Sequence, residues 1–239
     1  MPPYAISFVG TKGGLGKSTL AIAVGCEWAA RGLRVLLLDL DEEQFSLSEW
    51  EAIRRALEVT EGPDVIELHK PLEALSPAAA TREFQRLYRK STTGYDLVIL
   101  DTPGRAGERA VMALGVSDLC IMPTSPNPIE VRRLPSTIRQ VTAVTRVRKE
   151  LDAVFLLTRL DKRTSAARTA HKIFETSSGF DLLETELQAY ADYAKSFGAG
   201  YGVTTFDASS RAAGQVRQLV DELERRLGMR APAVADRSR

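Results

Sequence analysis

The sequence predicts an α/β fold: a mostly parallel, twisted sheet with helices on both faces. Three observations predict it. Short, almost wholly apolar runs recur along the 239 residues; longer helical patterns separate them; and no composition shift, internal repeat or low-complexity tract breaks the alternation. Apolar runs of four or five residues are what strands look like when both faces are covered. Intervening segments long enough for crossover helices make those strands parallel neighbours.

The runs are Ala5–Val9, Val35–Leu38, Leu97–Leu100, Leu119–Met122 and Val154–Leu157, with a last candidate strand at Val203–Phe206 and a possible edge strand at Asp64–Leu68. A helix is expected over Ser18–Arg31, with Leu20, Val24 and Trp28 at spacings of four and Gly32 just past its end. Another is expected over Ser210–Leu227, where Val216, Leu219, Val220, Leu223 and Leu227 form one stripe. Residues 1–228 read as a single domain and residues 229–239 as a disordered tail.

Composition is ordinary for a globular protein, with 44% hydrophobic and 26% charged residues. No apolar run approaches the roughly 20 residues of a membrane-spanning helix, and the N-terminus has no basic region of the kind that opens a signal peptide. Cys26 and Cys120 are isolated, which suits buried small hydrophobes and a reducing cytosol and argues against an iron–sulfur carrier. The net charge of +1 hides a basic block. Between Val131 and Lys172 there are eleven Lys/Arg against Glu150, Asp152 and Asp161, a local charge of +8. Within it Arg132, Arg139 and Arg146 recur every seven residues, on one face of a helix.

The most specific feature follows the first strand. Gly10-Thr11 leads into Lys12-Gly13-Gly14-Leu15-Gly16-Lys17-Ser18-Thr19, and a helix begins near Lys17. A strand, a glycine-rich turn and a helix N-terminus together hold phosphates. Glycines let the backbone approach, successive N–H groups face the anion, and the positive end of the helix dipole adds to them. Lys17 supplies a point charge to the β- and γ-phosphates and Ser18 a hydroxyl to Mg²⁺, so the expected ligand is ATP with magnesium. The general pattern G-x-x-x-x-G-K-[ST] needs glycine at position 11. This chain has Thr11 and matches instead K-G-G-x-G-K-[ST], which adds Lys12.

That variant resembles the deviant Walker motif of the ParA/MinD family of P-loop ATPases. The resemblance extends along the chain. RGLRVLLLDLDEEQFSLSEW is similar to the family's strand and switch I, and YDLVILDTPG to its Walker B and switch II. DLCIMPTSPNPIEV is similar to its next strand and turn, and FGAGYGVTTFDASSRAAGQVRQLVDEL to the last strand and helix of ParA-type partition proteins. The resemblance implies a P-loop NTPase-like fold. Lys12 would reach across a dimer interface to the partner's ATP, much as an arginine finger does. Asp41 would orient or polarise the attacking water, with Asp39 behind it. Asp101 would hold Mg²⁺ directly or through water, with Ser18. Thr19 would donate to the α-phosphate and Gly104 to the γ-phosphate.

The chain departs from the family in two places. Glu42 stands where proline follows Asp41, and Glu43 is an extra residue before Gln44. After Val154–Leu157 the family's Asn-Arg, whose Asn reads adenine, is Thr158-Arg159. Base contacts would then come from Arg159 or from backbone near Phe206-Asp207. Thr158–Lys162 also faintly resembles a guanine-reading motif, but the family pattern favours ATP.

The resemblance further implies a cytoplasmic, nucleoid-associated partition ATPase. Its ATP-bound homodimer would bind DNA without sequence preference, and a ParB-like or cargo adaptor protein would stimulate weak hydrolysis. The candidate DNA contacts are Arg163, Arg168, Lys172, Lys195, Arg211 and Arg217. Two alternatives are a MinD-type membrane-cycling ATPase, for which the tail offers no amphipathic helix, and a metabolic P-loop enzyme of the same superfamily.

Overall fold

The computed structural model describes residues 2–11, 14–41, 44–68, 72, 75–105, 107–127, 134–160 and 179–229. In chain order the elements are β1 (Tyr4–Phe8), α1 (Lys17–Ala30), β2 (Val35–Asp39), α2 (Ser46–Ala56), β3 (Asp64–Glu67), α3 (Pro77–Ser91), β4 (Leu97–Asp101), α4 (Glu108–Leu114), β5 (Leu119–Thr124), α5 (Leu134–Thr145), β6 (Asp152–Leu157), β7 (Asp181–Leu182), α6 (Asp192–Gly198), α7 (Val203–Phe206) and α8 (Arg211–Leu227). The strands form one seven-stranded sheet in the order β3-β2-β4-β1-β5-β6-β7, and every pairing is parallel.

Strand alternation divides the core between the two faces of the sheet. Ile6, Phe8, Val35, Leu37, Ile99, Ile121, Val154 and Leu156 pack with α1, α2 and α8. Leu36, Leu38, Val98 and Leu100 turn the other way, toward Ala80 and Phe84 of α3 and Met112 and Ala113 of α4. Cys120, Met122, Phe155 and Leu157 meet Val141 of α5 on that same side. Both cysteines are free and buried, as expected of small core hydrophobes.

Helix α1 is buried from Leu20 to Trp28, all round rather than on one stripe. Its C-terminal end is tied to α8. Trp28 Nε1 donates to Glu224 Oε1 at 3.0 Å, and Arg31 pairs with Glu224, Asp221 and Glu27. Gly32, at φ +93, takes the left-handed position expected beyond the helix. Ser210 caps α8 by accepting from the Ala213 N–H at 3.1 Å.

One strand expectation is corrected. Val203–Phe206 forms a single helical turn, not the last strand. The seventh strand is Asp181–Leu182, which pairs with Val154 and Phe155 of β6 and occupies that sheet edge. The 203–206 segment docks on α1 instead, burying Val203 and Thr204. The possible edge strand at 64–68 is present as Asp64–Glu67. Of the expected tail, only Met229 falls among the described residues. No helix of the described residues is long and apolar enough to cross a membrane.

Candidate functional site

The C-terminal ends of β1, β4 and β2 lie side by side, with Phe8 opposite Asp101 and Asp101 opposite Asp39. This is the edge where open α/β sheets place ligands. The loop after β1 returns over it. Gly14 and Gly16 have φ of +80 and +82, a conformation that side-chain-bearing residues adopt at a cost. Gly16 is the residue before α1, and the Leu20 N–H is bonded to its carbonyl. The N–H groups at the start of α1 therefore face the loop, which is the anion-binding arrangement. Lys12 and Gly13 lie outside the described residues.

Lys17 opens α1 with only 6% of its surface exposed. Burial holds its ammonium below the usual lysine range, against the opposing charges of Asp101 and Asp41. Burial raises Asp101 to about 6, against a hydrogen bond from Ser18 and the charge of Lys17, with Asp41 adding to the rise. Thr102 donates to the Phe8 carbonyl at 2.7 Å and fixes the end of β4 against β1. Gly104 lies in the loop that follows.

Asp39 is fully buried. It accepts the Asp41 N–H on Oδ1 at 2.9 Å and the Ser48 hydroxyl on Oδ2 at 3.3 Å. Asp41, itself 4% exposed, accepts the Gln44 N–H on Oδ1 at 3.0 Å. Asp39 thus holds the chain at Asp41, and Asp41 holds the start of the next segment. Glu42 and Glu43, the departures noted above, lie outside the described residues.

Burial and the charge of Asp101 push Asp39 up to about 7. A carboxylate raised in this way binds its proton more tightly in the native state than in the unfolded one. Native stability therefore falls as pH rises from about 4 to about 7, and the loss is complete above that. Asp39→Asn keeps an acceptor for the Asp41 N–H and removes the charge. Without nucleotide or magnesium it is expected to be more stable than the parent at pH 8, by on the order of 4 kcal/mol, and equal near pH 4. Urea melts at the two pH values check this; a variant that is less stable at pH 8 contradicts it.

A cavity of about 400 Å³ adjoins the loop, walled by Gly16, Thr19, Arg159, Tyr190, Tyr193 and Phe197 among others. Arg159 sits there at φ +54. Thr158 donates to the Thr124 carbonyl at 3.2 Å and is 4% exposed, so its hydroxyl serves the β5–β6 junction. Phe206 is not among the residues that wall this cavity. It lies in α7, 42% exposed, and its neighbour Thr205 lines a separate crevice with Ala29, Ala30 and Leu33 at the other end of α1. The aromatic wall from Tyr190, Tyr193 and Phe197 escaped the sequence reading. Its signal was present as aromatics at helical spacings of three and four.

The basic candidates are scattered. Lys195 lies on α6, largely exposed and 3.9 Å from Asp192. Arg211 opens α8, and Arg217 on the same helix donates to the Ala208 carbonyl. Arg139 on α5 and Arg146 just beyond it are exposed. Arg132, Arg163, Arg168 and Lys172 lie outside the described residues.

Comparison with known proteins agrees with this geometry. The chain is 25% identical over 228 residues to the maintenance of carboxysome distribution protein A of Gloeobacter kilaueensis, covering 93% of this chain and 95% of that one. It is 26% identical over 246 residues to the chromosome-partitioning ATPase Soj of Thermus thermophilus, covering 93% and 96%. The septum site-determining protein MinD of Pyrococcus horikoshii, solved with Mg-ADP, superposes with a TM-score of 0.71 at 19% identity, covering 97% of this chain and all of that one. The parallel sheet, the glycine loop and these relatives define a P-loop ATPase of the ParA/MinD class, in its partition subgroup. Residues 4–172 match the model of the ATPase MipZ family, and the chain belongs to that family.

Proposed function

We propose that this protein is a ParA-type partition ATPase. It binds ATP with Mg²⁺, closes as a homodimer on two nucleotides, and holds DNA without sequence preference. A ParB-like or cargo adaptor protein then stimulates hydrolysis. The observation that carries this reading is the lysine-containing glycine loop standing over three buried carboxylates, Asp39, Asp41 and Asp101. One acid beside the phosphates suffices to hold a metal; a second, Asp41, held at Oδ1 by the Gln44 N–H, would orient the water. The named roles of the relatives, carboxysome distribution and chromosome partitioning, share the positioning of a cargo.

The metal donors fit. Asp101 accepts from Ser18 through one oxygen, and its Oδ1 is buried with no hydrogen-bond partner among the described residues. A hydroxyl beside a carboxylate with a spare oxygen is the hard-oxygen set that suits Mg²⁺. Bound between Ser18, Asp101 and the phosphates, the ion would neutralise charge as the γ-phosphoryl group leaves. Lys17 holds the phosphates at the mouth of α1. Lys12 reaches the partner's nucleotide, and Asp41 orients the attacking water. Gly14, Leu15, Gly16 and Thr19 cradle the phosphates with Gly13, and Gly104 donates to the γ-phosphate. Arg159 and the aromatic wall enclose the nucleoside. The protein works in the cytoplasm over the nucleoid.

A DNA shift assay with ATP, ADP or no nucleotide, at low and moderate salt, tests this. Binding is expected only with ATP and is expected to fall about tenfold or more on raising salt from 50 to 200 mM, because Lys/Arg contacts to phosphate release counterions. No binding under any condition would sink the DNA-holding role.

A further inference from the structure

We propose that helix α5 clamps the phosphate loop to the loop after β4, and that Thr11 and Gln140 are positioning residues for ATP turnover. The inference rests on the ATPase reading above and adds residues that neither the motifs nor the family resemblance supply.

The clamp has two jaws on one helix. At its N-terminal end the Ser136 and Thr137 hydroxyls both donate to Thr11 Oγ1, at 3.0 and 3.1 Å. One turn further on, Gln140 Nε2 donates to the Gly107 carbonyl at 2.9 Å. Positions 136, 137 and 140 lie on one face of a helix, about 6 Å apart along its axis. The Gly107 carbonyl also accepts the Val111 N–H at 3.2 Å, so Gln140 holds the start of α4, where the loop carrying Gly104 ends. Around the jaws α5 is seated on the sheet. Val141 is fully buried, and Leu134, Ile138 and Val144 pack against the cluster of Met122, Phe155 and Leu157. A helix fixed in that way moves as one body, so a displacement at either jaw is felt at the other.

Thr11 has a specific place in this scheme. It stands where the general phosphate-loop pattern has glycine, and glycine has no side-chain oxygen to accept these bonds. The substitution that set this loop apart in the sequence is the same residue that ties it to α5. The phosphate loop at Thr11 and the start of α4 at Gly107 are thereby held through a third element.

Three variants test the clamp. Thr11→Val keeps the shape and removes the acceptor; Thr11→Ser keeps the hydroxyl; Gln140→Met keeps the length and removes the donor. Steady-state turnover and amide hydrogen exchange are read for each and for the Thr11→Val/Gln140→Met double variant. Thr11→Val, which loses two hydrogen bonds, and Gln140→Met, which loses one, are each expected to lower kcat about fivefold or more with KM within about twofold. The double variant is expected to fall no lower than the worse single, since both break one device. Thr11→Ser is expected to stay within about twofold of the parent. In Thr11→Val, exchange over residues 103–112 is expected to quicken, although Thr11 does not bond that segment. Unchanged kcat in both singles, multiplicative losses, a Thr11→Ser defect equal to that of Thr11→Val, or an exchange change confined to residues 9–16 would each overturn the clamp. If the parent chain shows no ATP turnover, the ATPase reading has failed instead, and the exchange result alone decides the clamp.

Discussion

Asp41→Ala is expected to leave ATP binding in place and to slow hydrolysis by about 100-fold or more, the scale of a lost group that orients or polarises the nucleophile. On the homodimer proposed above, the ATP-bound form is then expected to accumulate. The expectation comes from how the residue is held. Asp41 is 4% exposed, just beyond the end of β2. Its own N–H is fixed by Asp39 and one of its carboxylate oxygens by the Gln44 N–H. Its charge acts on Lys17, the residue placed for the phosphates. Losing Asp41 removes a charge near that lysine but leaves Asp101, so phosphate binding has a reason to survive. Phosphate release and sedimentation with ATP measure the two halves of the prediction. Normal turnover in this variant would remove Asp41 from the mechanism.

Gly202→Ala is expected to destabilise the protein by about 3 kcal/mol, at the upper end of what overpacking costs. A Cβ at position 202 would lie 2.3 Å from Cys26 Cβ and 2.8 Å from its Sγ. Helix α1 has no room to withdraw, because Gly25 already faces Leu37, where a Cβ would meet Cδ2 at 2.9 Å. The strain therefore falls on α7. Cys26→Ala gives no relief, since the nearest atom is the Cβ. Cys26→Gly removes it and is expected to recover part of the loss, less about 1 kcal/mol for glycine inside a helix. Urea midpoints of the single and double variants measure this, and an unchanged midpoint in Gly202→Ala would show the contact to be soft. The same burial pushes the Cys26 thiol up to about 12, which keeps it unreactive at neutral pH.

Much of the site was legible because it is local. The glycine loop, Lys17 and Ser18 form one contiguous stretch. Asp39, Asp41 and Asp101 announce themselves as acids closing apolar runs, and parallel pairing brings the ends of such runs to one edge. The segment 203–206 misled for a physical reason. Val-Thr-Thr-Phe favours an extended chain, but β7 occupies the open edge beside β6, and Gly202 lets the backbone settle on Cys26.

By itself, the sequence determined the parallel α/β class, six of the seven strands closely, the two long helices that close on each other, and the phosphate loop, because each depends on periodicity or on neighbours in the chain. Only the tertiary structure decided the rest. It showed that Thr11 meets Ser136 and Thr137 across 125 and 126 positions of chain. It showed that Tyr190, Tyr193 and Phe197 wall the cavity beside the loop. It also showed that Asp39 is spent holding Asp41. Contacts of that kind depend on which faces the folded sheet and helices turn toward each other, and nothing in the local pattern of residues encodes that choice.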